Sequence, residues 1–190
     1  MKKIISVTNQ KGGVGKTTTA INLATSLAAV KKNVLIVDSD PQGNASTGLG
    51  IQQDKRSPSI YDMISKQELI LEGIKKTDVP GLSIICANTD LAAAEIELTQ
   101  IKDREFVMKE ILKQIKDFDY IFIDCPPALG LLTINSLVSS NSVLIPLQSE
   151  FFALEGLSSL TNTINLIQKN YNKNLIIEGI LMTMVDKRNS

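Results

Sequence analysis

Three stretches of the chain combine residue types that could do chemistry. The first is Gln10-Lys-Gly-Gly-Val-Gly-Lys-Thr-Thr18. Closely spaced glycines let successive backbone N–H groups turn toward one point and form an anion nest. A helix beginning at Lys16 adds positive potential there. In this arrangement the Lys16 ammonium reaches β- and γ-phosphates and the Thr17 hydroxyl ligates Mg²⁺. Lys11, Gly12, Gly13, Val14, Gly15, Lys16, Thr17 and Thr18 are therefore the candidate contacts for ATP. The common pattern G-x-x-x-x-G-K-[ST] would place glycine at position 10, where this chain has Gln10. A second lysine, Lys11, stands instead just ahead of the double glycine, where it could neutralise phosphate from another direction.

The other two stretches are apolar runs that stop at aspartate: Val-Leu-Ile-Val-Asp38-Ser-Asp40-Pro-Gln and Tyr-Ile-Phe-Ile-Asp124-Cys-Pro-Pro. A strand ending in aspartate is one way to hold Mg²⁺ or orient water near a γ-phosphate. Three carboxylates facing a triphosphate would repel it without a metal or water between. Mg²⁺ suits that place because it keeps several waters and takes few protein ligands. On this reading Asp124 binds a Mg²⁺-bound water and Asp40 the attacking water. Asp38 is a further candidate for the metal shell, or supports the loop. Pro126 and Pro127 stiffen the turn after Asp124 and Cys125, and Gly130 lets it bend, so residues 124–127 form a candidate switch that senses the γ-phosphate.

These residues need elements to position them. Ile4–Val7, Val34–Val37, Leu82–Cys86, Tyr120–Ile123, Val143–Leu147 and Ile176–Met182 are short apolar runs that predict strands. Helical patterns fall between them, at Lys16 to Val30, Glu105–Asp117 and Leu154–Gln168. Strands alternating with helices predict an α/β fold, a doubly wound, mostly parallel sheet with helices on both faces. Ligands in such sheets lie beyond the carboxyl ends of the strands, where each motif falls. The two aspartate strands are expected to flank the phosphate loop. Gln42–Ser57 is the longest polar stretch and is expected to be a mobile site loop.

At 190 residues the chain fits one domain, 1–190. Lys plus Arg equals Asp plus Glu at 20 each, which excludes a uniformly basic nucleic-acid coat and allows a local patch. The two cysteines, Cys86 and Cys125, form no C-x-x-C pair, so a reducing cytoplasm is the simpler setting. No apolar run approaches the roughly 18 residues of a membrane span. Nothing after the last strand run closes the fold, so its C-terminal helices are expected to be missing.

Taken together, these stretches resemble the deviant Walker A ATPases, with the loop pattern K-G-G-x-G-K-[ST], and among them the ParA/Soj-type partition ATPases. The matching segments are VTNQKGGVGKTTTAINLATSL at 7–27, DSDPQGNASTGLG at 38–50, YIFIDCPPALGL at 120–131 and LIPLQSEFFALEGLSSLT at 144–161. The resemblance implies a dimeric ATP switch with weak hydrolysis, in which two subunits sandwich the nucleotide. Lys11 would contact the partner's phosphates, and Gly12 would lie at a positive φ where the subunits touch. Asp40 would be the water-activating aspartate. It further implies non-specific DNA binding by the dimer, nucleoid association in the cytoplasm and a ParB-type centromere-binding partner. Thr183–Asp186 resembles the start of the family's adenine-side loop, and Lys187 and Arg188 are the last basic residues. Three other readings share the loop. One is a MinD-like membrane-associated division-site ATPase, marked by a C-terminal basic amphipathic helix. Another is an enzyme resembling the nitrogenase iron protein, in which Cys86 or Cys125 would hold an iron–sulfur cluster. The third is a small-molecule kinase or amidoligase.

Overall fold

The computed structural model describes residues 2–66, 69–150 and 153–185; Asp186, Lys187, Arg188 and the Phe151-Phe152 pair of the quoted motif lie outside them. In chain order the strands are β1 (Lys3–Val7), β2 (Val34–Asp38), β3 (Ile74–Lys76), β4 (Leu82–Ile85), β5 (Tyr120–Asp124), β6 (Ser142–Gln148) and β7 (Ile176–Thr183). The helices are α1 (Lys16–Ala29), α2 (Asn44–Gly48), α3 (Ile60–Ser65), α4 (Leu91–Glu97), α5 (Val107–Gln114), α6 (Leu131–Ser139) and α7 (Ala153–Asn170). The strands form one sheet in the order β3-β4-β2-β5-β1-β6-β7. All pairings are parallel except that of β3 with β4.

The apolar runs are continuous because both faces of the sheet are covered, and alternate residues serve opposite faces. Val34 and Ile36 pack with Leu82, Ile84 and Phe122 beneath Ala20, Ala24 and Ala28 of α1. Spaced four apart, those alanines line one face of the helix and let its backbone approach the sheet. Leu35 and Val37 turn the other way, toward Ile60 and Met63 of α3, Leu91 of α4 and Met108, Ile111 and Leu112 of α5. A third cluster joins Val143 and Ile145 of β6 to Leu160, Ile164 and Ile167 of α7.

Two expectations are corrected. The aspartate strands do not flank β1 on either side: β5 lies between β1 and β2, and the other neighbour of β1 is β6. The Gln42–Ser57 stretch is also not an unstructured loop. It contains α2 and a turn of 3₁₀ helix at Gln53–Lys55, and it closes on the buried Arg56. The Arg56 guanidinium donates to Ile51 O at 3.2 Å and to Thr47 Oγ1 at 2.7 Å. A Cβ at Gly43, whose φ is +63°, would stand only 2.3 Å from that guanidinium. Polar composition concealed a segment organised by one buried cation that meets its hydrogen-bonding needs on backbone and hydroxyl oxygens.

Candidate functional site

The parallel registers bring the motif ends together. Val7, the last residue of β1, is opposite Asp124, and Asp124 is opposite Asp38. The chain leaves β1 through the buried Asn9, whose side chain fixes the loop entrance. Its Nδ2 donates to Pro146 O at 2.7 Å and its Oδ1 accepts from Lys11 N at 3.0 Å. Gly13 and Gly15 follow with φ of 75° and 85°, a region closed to most side chains. Gly12 does not share that conformation, contrary to expectation. A Cβ added at Gly12 meets nothing within 4 Å among the described residues.

Lys16 opens α1 and is buried, with Nζ donating to Lys11 O at 2.9 Å. Burial lowers its pKa, and the carboxylates of Asp124 and Asp40 oppose that shift. Lys11 points elsewhere: it is about half exposed and ion-paired with Glu150, which follows β6. Thr17 Oγ1 donates to Asp124 Oδ2 at 2.7 Å. The other oxygen, Asp124 Oδ1, is buried with no hydrogen-bond partner among the described residues. Burial is the main cause that raises the Asp124 carboxyl to about 7. Asp38 and Asp40 add to the shift, while the Thr17 hydroxyl and Lys16 oppose it. An unsatisfied buried carboxylate oxygen beside a threonine hydroxyl is a chemically apt place for a hydrated Mg²⁺ ion.

The other two aspartates have different surroundings. Asp38 is fully buried. Its Oδ2 accepts from Ser46 N at 2.8 Å and Ser46 Oγ at 2.7 Å, and its Oδ1 accepts from Asp40 N at 3.3 Å. Burial raises its carboxyl to about 6. These bonds fasten α2 and the start of its loop to the end of β2. Asp40 lies two residues beyond the strand, with Oδ1 accepting from Gln42 N at 2.9 Å.

Asp40 lines a cavity of about 820 Å³ together with Gly12, Gly13, Gly15, Lys16, Thr17, Thr18, Pro126 and Pro127. Of the predicted phosphate contacts, Val14 is buried behind this wall and Lys11 stands outside it. Sequence reasoning missed Glu95 of α4, which lines the same cavity and reaches the start of α6, just past the switch segment. Glu95 Oε1 accepts from Leu132 N at 3.4 Å, in the first turn of α6. A Cβ at Gly130 would come within 2.0 Å of that oxygen. Gly130 has φ of −83°, so this glycine makes room for Glu95 and does not supply a special bend. No sequence motif announces Glu95, because α4 lies far along the chain from the residues it meets.

Cys86 and Cys125 are free and buried, and burial pushes the Cys125 thiol up to about 12 and the Cys86 thiol also upward. Neither is a reactive thiolate at neutral pH. Among the described residues no group of three or more His, Cys, Asp or Glu could hold a metal ion by itself. No described helix is long and apolar enough to cross a membrane.

Residues 2–177 match the AAA domain family. Over 189 residues the chain is 53% identical to the sporulation initiation inhibitor protein Soj of Bacillus subtilis, covering 99% of this chain and 75% of that protein. It is 52% identical to the chromosome partitioning protein ParA of Myxococcus xanthus, covering 98% of this chain and 66% of that one. The chain belongs to the ParA/Soj family. Among solved structures, a Mycobacterium smegmatis protein described as cobyrinic acid a,c-diamide synthase, with bound ADP and magnesium, superposes with a TM-score of 0.94. It is 39% identical, over 99% of this chain and 77% of that one. A plasmid partition protein from Borrelia burgdorferi superposes with a TM-score of 0.84 at 30% identity, over 98% of this chain and 80% of its own. In this ParA/Soj chain the seven-stranded, mostly parallel sheet with its helices is therefore the fold shared with these neighbours.

Proposed function

We propose that this chain is an ATPase that works as the nucleotide switch of a partition system, with Mg·ATP in the cavity at the head of α1. The observation that carries the reading is the junction of the glycine loop with the Thr17–Asp124 pair, where a buried carboxylate oxygen has no partner among the described residues. Gly12, Gly13 and Gly15 offer backbone N–H groups to phosphate, and Lys16 supplies the cation. Thr17 would ligate Mg²⁺ directly and Asp124 through a water. The metal, when bound, neutralises charge on the phosphates. Asp40 orients the attacking water, and Asp38 holds the segment that carries Asp40. The experiment is ATP turnover by the purified protein with and without Mg²⁺: slow, Mg²⁺-dependent phosphate release is expected, and none from a folded, ATP-bound protein would refute the hydrolytic role.

Dimerisation belongs to the same proposal. Lys11 would leave Glu150 to meet the nucleotide of a second subunit, a small loss because exposed ion pairs are worth about 0–1 kcal/mol. Gly12→Val tests this, since a Cβ at Gly12 has open space around it among the described residues. The variant should fold, take up nucleotide and stay monomeric; an ATP-dependent dimer in light scattering would contradict the sandwich. Non-specific DNA binding, nucleoid association and a ParB-type partner complete the proposal. They rest on the 53% identity to Soj, which exceeds the 39% identity to the diamide-synthase neighbour.

A pH dependence follows from Asp124. Its folded carboxyl is raised to about 7, so it holds a proton at lower pH that it must release to serve a metal-bound water. Mg·ATP affinity should therefore rise with pH, by up to about tenfold per unit below 7, and level off above about 8. Calorimetry from pH 6 to 8.5 measures this, and Asp124→Asn should flatten the profile.

A further inference from the structure

Behind the cavity wall, Thr183 at the end of β7 donates its hydroxyl to Val14 O at 2.8 Å. This bond joins residues 169 positions apart and reaches the one stretch of the phosphate loop that lies between Gly13 and Lys16. The Thr183 methyl also stands 3.6 Å from where a Cβ of Gly15 would be. We propose that Thr183 is a positioning residue for the anion nest: it fixes the Val14–Gly15 peptide so that the Gly15 N–H faces the cavity. The inference rests on the nucleotide-binding reading given above.

In a planar trans peptide the C=O and N–H point in opposite directions. Thr183 holds the Val14 carbonyl on the β7 side, so the Gly15 N–H turns to the other side, and Gly15 lines the cavity. Little else defends that orientation. Turning the peptide over changes mainly ψ of residue 14 and φ of residue 15, and glycine tolerates φ of either sign. Gly13 is likewise at a positive φ and adds no steric restraint. The glycines that permit a nest therefore also permit its collapse, and a hydroxyl from the distant strand selects the productive state.

The test is calorimetric titration of Mg·ATP, Mg·ADP and inorganic tripolyphosphate into wild type, Thr183→Val, Thr183→Ala and Thr183→Ser, with urea unfolding of each nucleotide-free protein. Valine keeps the methyl packing and removes the donor. Both Thr183→Val and Thr183→Ala should lose about three- to tenfold in affinity for all three ligands, the worth of one such hydrogen bond. Thr183→Ser should recover wild-type affinity. Tripolyphosphate has no base, so a parallel loss places the effect on the phosphate loop, and urea midpoints that stay near wild type separate it from a general loss of stability. Unchanged affinity in Thr183→Val and Thr183→Ala overturns the proposal. So does a loss confined to ATP and ADP, which would assign Thr183 to the base. If wild type binds none of the three ligands, the nucleotide reading itself fails.

Discussion

Asp40→Ala is expected to lower kcat for ATP hydrolysis by about 10²–10⁴-fold while leaving nucleotide affinity close to wild type. Asp40 lines the cavity beside the loop, yet Lys16 and Thr17 already supply the phosphate and metal contacts. Among the described residues its carboxylate accepts one bond, from Gln42 N at 2.9 Å, which steadies it and leaves it able to accept from a water. Positioning that water matters only as the reaction proceeds, so its loss falls on kcat. In a sandwich dimer, slower hydrolysis also prolongs the ATP-bound pair, so Asp40→Ala should remain dimeric longer than wild type. Stopped-flow phosphate release and ATP titration measure the two quantities separately. Full hydrolysis would move the water-positioning role elsewhere, and lost ATP binding would put Asp40 in the metal shell.

Lys16→Ala is expected to weaken ATP binding by about ten- to a hundredfold. The change removes a cation held against the nest, and a charge-assisted contact of this kind is worth about 1.5–3 kcal/mol. The side chain is buried and its ammonium rests on Lys11 O at 2.9 Å, so it is already placed at the loop before phosphate arrives. Burial lowers the Lys16 pKa, and a phosphate within reach would oppose that shift. Alanine at this position keeps the helix start intact, so the urea-unfolding midpoint should change far less than the affinity. Wild-type affinity in Lys16→Ala would remove the phosphate-loop assignment.

Local chemistry was legible in the sequence, and the arrangement of distant pieces was not. The glycine spacing and the apolar runs stopping at Asp38 and Asp124 mark loop and strand ends because each is a property of a few adjacent residues. Predicted strands lie within a residue or so of β1, β2, β4, β5, β6 and β7. β3 escaped because three residues of an antiparallel edge strand, Ile74–Lys76, carry too little pattern. Helix α6 was not singled out because its buried surface includes Thr133, Asn135, Ser136 and Ser139, which blur an apolar period. Asn135 is satisfied there by Met108 N, Arg104 O and Leu131 O, partners that only the folded chain supplies. The insertion of β5 between β1 and β2 is likewise a matter of long-range pairing. So are Glu95, Arg56 and Thr183, whose roles depend on contacts from 5 to 169 residues away.

The most direct measurement of the central claim is calorimetric titration of ATP into the wild-type chain at pH 8, with Mg²⁺ and again with Mg²⁺ removed by chelation. The account predicts one ATP per chain, bound more tightly when Mg²⁺ is present, because Thr17 and the ionised Asp124 act only through the metal. Binding that is absent, or that is equally tight with and without Mg²⁺, would contradict it.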